Sequence, residues 1–500
     1  MKKVIGLLLL GTILLPLPAG AQRLLSLDSC RSMALRNNKQ LSISKVKQDV
    51  AANLRKAART KYLPSVNAYG TYQYTSREIS LLSDEQKSTL STMGTTTATG
   101  ITSVVTQDIT AMVQQGALSL EKAQTIGQML QSGITPVAQT VDAAGQKIVD
   151  AFHTDTRNIF GAAIMVQQPI FMGGRITALN KMADYSEIMA QQGYDARQQS
   201  VLYDIDNAYW TVVSLKHKQK LADGYLALVK KLDDDVQKMI REGVATKSDG
   251  LKVDVKVNEV EMMKTKVDNG LSLAKMYLSQ LCGLPVSDDI ILADENKDTL
   301  EVTEAQGTFD VGMAVEQRPE LQMLQTTIGM TEQTTKMMKA DYLPMVALTG
   351  GYLLTNPNIY NGYANKFGGV WNVGVLLRIP IWNWGETADK IRAAKGATTI
   401  AKLELDEAKE KIELQLNQNS FKVAEANKKY ATAVKNTEKA EENLRCANLG
   451  FREGVMNSTV VMEALTAWLQ AQSDKIDAAI DIKLTELALK KSMGDLKINN

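Results

Sequence analysis

The chain has 500 residues, and without Lys2 and Lys3 it carries 55 basic and 55 acidic side chains, so there is no electrostatic case for a nucleic-acid partner. Three cysteines, Cys30, Cys282 and Cys446, are too few and odd in number for a disulfide framework, and they read as buried small hydrophobes. With only His153 and His217, histidine-based metal or nucleophilic chemistry has little to work with, and neither a cofactor nor a catalytic residue is expected.

Residues 1–21 read as a secretory signal peptide. Lys2 and Lys3 precede an apolar run from Val4 to Leu17, and Ala19-Gly20-Ala21 offers small residues for cleavage before Gln22. No other stretch reaches the roughly 18 to 20 apolar residues a membrane-spanning helix requires, so any membrane insertion must use strands. The sequence around Cys30, Leu27-Asp28-Ser29, lacks the small residues expected before a lipid-modified cysteine.

The rest of the chain repeats itself at two offsets. Tyr62-Leu63-Pro64 returns as Tyr342-Leu343-Pro344, 280 residues on, with Ala34 and Leu41 matched by Ala314 and Leu321. Pro169-Ile170 returns as Pro380-Ile381 and Arg241-Glu242-Gly243-Val244 as Arg452-Glu453-Gly454-Val455, both at an offset of 211. One structural unit used twice explains this, with 69 extra residues in the first copy. The expected division is a first repeat over 22–282, a linker over 283–313 and a second repeat over 314–500.

In chain order, a helix precedes Pro64 and an alternating strand follows it. Val66, Ala68, Gly70, Tyr72 and Tyr74 share one face, and Asn67, Tyr69, Thr71, Gln73 and Thr75 the other. The insertion, 77–158, is rich in Ser, Thr, Gln and Ala and has no aromatic residue between Tyr74 and Phe152; Val104 to Gln115 and Ala117 to Gln131 have helical spacing. A second strand follows, with Phe160, Ala162, Ile164 and Val166 on one face. No proline interrupts 170–284, and Val201, Ile205, Ala208, Val212 and Leu215, then Leu221, Tyr225, Leu228, Leu232, Val236 and Met239, form a continuous helical seam. A helix from Gly174 to Glu242 would be about 100 Å long. Gly243 then ends it, and Thr246 or Ser248 caps the next helix.

The second half follows the same order. The strand after Pro344 puts Val346, Leu348, Gly350, Tyr352 and Leu354 on one face; the next has Trp371, Val373, Val375 and Leu377 on one face and Asn372 and Arg378 on the other. A short loop, Asn356 to Phe367, joins them. Proline-free 381–500 allows a second long hairpin, its tip at Gly454, capped by Asn457 or Ser458. Asp233-Asp234-Asp235 reads as a solvated face, because adjacent helical side chains point about 100° apart. Apolar-out, polar-in strands with aromatic ends suit a barrel in lipid as well as a soluble antiparallel sheet; the long helices and the signal peptide favour the membrane, and four strands cannot enclose an aqueous lumen alone.

These marks together resemble the TolC family of outer-membrane efflux proteins, over nearly the whole mature chain: the twofold repeat, Leu-Pro at Pro64 and Pro344 leading into strands, Pro-Ile at Pro169 and Pro380 leaving them, and the Gly-Val tips. The resemblance implies a mixed α and β fold, a homotrimeric barrel to which each chain gives four antiparallel transmembrane strands, with long periplasmic helical hairpins forming a tunnel. It implies a passive exit channel, not an enzyme, for a tripartite efflux pump or type I secretion system. Its partners would be a periplasmic adaptor (membrane fusion) protein, an inner-membrane transporter of the RND, ABC or MFS class, and outer-membrane lipid.

By the same resemblance, Glu242, Gly243, Val244 and Ala245 and Glu453, Gly454 and Val455 would be adaptor contacts. Asp249 matches a gating aspartate and Glu463 an acidic residue ringed about the threefold axis. Phe451 stands where the best-studied members have a gating tyrosine, Met456 where they have an arginine, and Val460 where they have a second ring aspartate. A gate closed mainly by packing, with weak cation selectivity, is expected. The insertion would lie at the extracellular end, and 283–313 would contribute to an equatorial layer. The rival reading is a non-transporting periplasmic coiled-coil scaffold or adaptor. A secreted hydrolase finds neither a Gly-x-Ser-x-Gly elbow nor a His-Glu-x-x-His run.

Overall fold

Proline and glycine placement decides where this chain switches between helix and strand. The computed structural model describes residues 23–78, 80–153, 155–287, 289–297 and 303–496; the expected signal peptide, 1–21, lies outside them. In chain order the elements are β1 (Arg23–Leu25), α1 (Leu27–Asn37), α2 (Lys39–Arg59), β2 (Ser65–Tyr74), α3 (Asp84–Ser91), α4 (Met93–Gln114), α5 (Leu120–Ala151), β3 (Asn158–Met172), α6 (Arg175–Arg241) and α7 (Lys247–Cys282). They continue as β4 (Ile290–Leu292), α8 (Val311–Gln317), α9 (Pro319–Lys339), β5 (Met345–Asn356), β6 (Gly368–Arg378), α10 (Glu386–Arg452) and α11 (Ser458–Met493). Paired elements of the two halves match in length: α2 and α9 have 21 residues, α6 and α10 have 67, and α7 and α11 have 36.

The chain divides into two compact units. One comprises 1–59, 177–339 and 384–500; the other comprises 60–176 and 340–383. In the first, a 67-residue helix rises roughly 100 Å at 1.5 Å per residue, and its stability comes from an apolar seam packed along its length. Val201, Ile205, Tyr209 and Val212 of α6 meet Leu271 and Leu278 of α7 and Ile480 of α11 in one core cluster. Leu321 and Ile328 of α9, Leu405, Ile412 and Leu416 of α10 and Leu489 of α11 make a second. Each fully enclosed Val, Leu or Ile there contributes about 1.5–3 kcal/mol.

Two features of this unit lay beyond sequence reading. β1 pairs with β4 in a parallel two-stranded ribbon, Leu24 opposite Ile291, so Arg23–Leu25 is bound to the linker after α7. Asn38 separates α1 from α2, its side chain accepting from the N–H groups of Gln40 and Leu41 at 2.9 and 3.3 Å. Further along the linker, Ala305 exchanges two hydrogen bonds with the Asn427 amide of α10, at 2.8 and 3.3 Å, and the Ser420 hydroxyl donates to the Gly307 carbonyl at 2.7 Å.

In the second unit β2, β3, β5 and β6 form an antiparallel sheet in that order. The register aligns the alternating residues in rows: Val66, Val166, Gly350 and Val373 lie side by side, as do Ala68, Ile164, Tyr352 and Trp371. Rows on the other face hold Asn67, Met165, Gly351 and Asn372, then Thr71, Gly161 and Thr355. Trp371, Val373 and Val375 are 74%, 69% and 68% exposed in the single chain, a row of apolar side chains that water would not favour.

Three expectations need correction in detail. Pro169 does not mark the end of its strand: β3 runs on to Met172, and the turn into α6 is made by Gly173 and Gly174, with φ of +61° and +83°. Proline is tolerated because β2 pairs with β3 only as far as Gln167 and because the β3–β5 ladder breaks register between Pro169 and Phe171. Pro64, Pro344 and Pro380 do fall where helix gives way to strand or strand to helix. The second insertion helix does not stop at Gln131; α5 continues through Pro136 to Ala151, held along α3 and α4 by close approach of Gly145 to the Leu90 carbonyl and of Gly94 to that of Ala138. Asp142 of α5 accepts from the N–H groups of Gly94 and Thr95 at the start of α4. Among the cysteines, Cys30 and Cys282 are buried as expected, whereas Cys446 is exposed on α10.

Candidate gate and adaptor-contact site

Both hairpin tips are built by the same local chemistry. At the first, Gly243 has φ of +78°, its N–H donates to the Ile240 carbonyl, and those of Val244 and Ala245 donate to Met239 at 2.9 and 3.2 Å. At the second, Gly454 has φ of +74°, its N–H donates to Phe451, and those of Val455 and Met456 donate to Gly450 at 2.9 and 3.0 Å. A left-handed residue at this point lets the last carbonyls of a helix be satisfied as the chain reverses, and glycine takes that conformation without strain. Thr246 and Asn457 are the N-caps of α7 and α11, accepting from the N–H groups of Asp249 and Val460 at 3.2 Å each.

The expected adaptor-contact residues lie together at the surface of these turns. Glu242, Gly243, Val244, Glu453, Gly454 and Val455 are exposed and Ala245 is half-buried. Val244 and Val455 are the telling pair, at 71% and 79% exposed, because a β-branched apolar side chain at a helix turn gains nothing from water.

The expected gate residues do not form one group. Phe451 is buried in a core cluster whose other members include Leu232 and Val236 of α6 and Val461 and Leu465 of α11. It borders a cavity of about 360 Å³ whose wall also holds Lys231, Asp235, Arg445 and Arg452. Met456 lies against Gly450, where an added Cβ would fall 2.8 Å from its Cγ. Asp249 closes a capping box: its carboxylate accepts from the Thr246 hydroxyl at 2.6 Å and backbone N–H at 3.2 Å, with Lys252 at 3.5 Å. These hydrogen bonds, foremost that of the Thr246 side chain, hold its carboxyl below the usual aspartate range. In the second hairpin the matching position is Val460, and Asn457 caps without that reciprocal bond.

Glu463 is exposed and lines a groove of about 640 Å³ between α7 and α11. Lys252, Lys256 and Glu259 line the same groove, with Lys256 3.0 Å from Glu259. These lysines were missed in the sequence, although Lys252 stands three residues after Asp249, on the same helix face. The Asp233-Asp234-Asp235 run behaves as a solvated face: Asp233 accepts from Gln237, while Asp234 and Asp235 approach Lys238.

A family model described as outer membrane efflux protein matches residues 311–495. The chain is 21% identical over 345 residues to outer membrane protein TolC of Vibrio cholerae serotype O1, covering 68% of this chain and 77% of that one. In fold it is similar to the outer membrane protein VceC of Vibrio cholerae, with a TM-score of 0.67 at 13% identity over 94% of this chain and 96% of that one. It is likewise similar to the CmeC outer membrane channel of Campylobacter jejuni, with a TM-score of 0.68 at 13% identity over 94% and 85% of the two chains.

Proposed function

We propose that the chain belongs to the outer membrane efflux family, whose model matches residues 311–495, and that it is the exit channel of a tripartite efflux pump or type I secretion system and works as a homotrimer. Its place is the outer membrane of a Gram-negative cell, with a periplasmic tunnel, and its family is one of channels rather than enzymes.

The observation that carries the assembly is the four-stranded sheet, with rows of apolar residues on one face and edges at β2 and β6 that no described strand covers. In lipid every backbone donor and acceptor needs a partner, so an open edge is excluded. Four strands closed on themselves leave no lumen. Three chains joined β6 to β2 satisfy both demands, with Trp371, Val373 and Val375 toward lipid and Asn67 and Asn372 toward water. Helices of equal length at fixed offsets support a duplicated unit, 22–282 and 314–500, joined by the linker 283–313.

At the tips, Val244 and Val455 are apolar knobs for a periplasmic adaptor protein, and the energy for transport comes from the inner-membrane transporter. The gate is closed by packing around Phe451. Glu463 shares its groove with Lys252 and Lys256, so the field at the constriction is only weakly negative. The insertion 77–158 caps the pore mouth or shields it from phage and antibody. The groove between α4 and α5, about 990 Å³, is lined by Thr, Ser, Gln, Ala and Ile with no charged side chain.

The test is the oligomeric mass, in mild detergent, of mature protein extracted from the outer-membrane fraction. A trimer is the expected result. A monomer or dimer recovered from the soluble periplasm overturns the channel in favour of a coiled-coil scaffold.

A further inference from the structure

Cys30 and Cys282, 252 residues apart in the chain, meet inside the first unit. Cys30 sits in the first turns of α1 and Cys282 is the last residue of α7. Both are fully enclosed, in the cluster that also holds Leu25, Ala34, Ile205 and Leu278. The Cys282 thiol donates to the Cys30 carbonyl at 3.8 Å. The neighbouring Cys282 side chain and burial together push the Cys30 thiol far up. The helices are tight around them: a Cβ on Gly283 would fall 2.4 Å from that of Asn37, and the amides of Asn37 and Asn38 donate to the carbonyls of Cys282 and Leu281 at 3.4 Å.

A chain destined for the outer membrane passes through an oxidising compartment, where neighbouring thiols persist as disulfides. We propose that Cys30 and Cys282 form a disulfide in the exported protein, stapling α1, and with it the β1–β4 ribbon, to the end of α7. Each thiol gives up a proton, one sulfur–sulfur bond forms, and two electrons pass to the disulfide of a thiol–disulfide oxidant, which departs as a dithiol. Because both sulfurs are enclosed once α1 is docked, the exchange takes place during folding, and the finished bond is shielded from reductant. The staple has a purpose. α1 has 11 residues, too few to hold a helix in water by itself. It carries Arg31, whose guanidinium forms a bidentate pair with buried Asp206 of α6 at 2.7 and 2.5 Å. Closing so long a loop also removes freedom from the unfolded chain. Cys446, exposed and 3.5 Å from the Glu442 carboxylate, remains the free thiol.

The proposal requires export but not conduction, so fractionation and thiol counting test the two readings separately. Full-length protein is expressed with its leader, recovered from the envelope without reductant, denatured and alkylated, and its cysteines are counted by mass before and after reduction. The expected result is one alkylated cysteine, Cys446, rising to three after reduction, with a linked peptide pair containing Cys30 and Cys282 and faster migration on a non-reducing gel. Three alkylated cysteines without reduction overturn the proposal, as does a linkage through Cys446. Cys30→Ala and Cys282→Ala variants should each show two alkylatable cysteines without reduction; none in either variant, which means the remaining cysteine of the pair is linked to Cys446, overturns it. The count on the unmodified protein decides the matter even where a variant fails to accumulate.

Discussion

Truncating Phe451 tests whether packing closes the tips. The ring is 7% exposed and belongs to a core cluster with Leu232 and Val236 of α6 and Val461 and Leu465 of α11, three residues before Gly454. Phe451→Ala leaves a void that long helices refill poorly, and such truncations cost about 3–5 kcal/mol. If the tips separate on opening, only the closed state loses this packing. The lower figure then shifts the equilibrium toward the open state by roughly two powers of ten, at about 1.4 kcal/mol per power. Single-channel recording in a planar bilayer should show a persistently higher resting conductance, and hydrogen exchange over 444–452 and 461–465 should quicken. Phe451→Tyr retains the ring and directs its hydroxyl at the cavity that holds Asp235 and Arg445, so it should behave as the unmodified protein. A Phe451→Ala channel with unchanged resting conductance would refute closure by packing.

The remaining predictions concern charge, pH, backbone and the insertion. Glu463→Gln should shift ion selectivity slightly toward anions, with Lys252 and Lys256 already beside it; unchanged selectivity in bilayer recording removes Glu463 from the gate. Asp249 has a depressed folded pKa, so the stability it lends the first tip is full above the ordinary aspartate value and is lost as pH falls through the folded value. Exchange at 243–250 should therefore quicken below roughly pH 4 in the unmodified protein but not in Asp249→Asn. Gly454→Ala meets no neighbour within 4 Å, so its cost is the left-handed backbone alone, about 1–2 kcal/mol, read as faster local exchange at the second tip. Deleting 80–150 should change conductance or phage and antibody binding at the surface; a deletion that alters neither leaves the insertion without the proposed role.

Much of this fold could be read from the letters because the signals repeat. Arg-Glu-Gly-Val marks both tips, since a helix ending in glycine is local chemistry that tertiary structure need not supply. Strand alternation was equally legible, and the register pairs the expected residues row by row. What failed were readings that depended on a neighbour. Pro169 looked like a boundary until the missing β2 partner beyond Gln167 made room for it in the strand. Helical spacing was read only as far as Gln131, yet α5 runs on through Pro136, supported along α3 and α4. The site was less legible still. Asp249 is engaged in its own helix cap, and Glu463 gains meaning only from Lys252 and Lys256, contributed by another helix.

The open edges of the sheet have a genetic consequence. Where β6 of each chain must find β2 of the next, one chain with a defective edge spoils the ring it joins. In a cell making normal and edge-defective chains equally, random mixing in threes leaves only about one eighth of the rings intact. A substitution that breaks β6, such as proline at Val373, should therefore act dominantly, whereas one that merely lowers the supply of chain should be recessive.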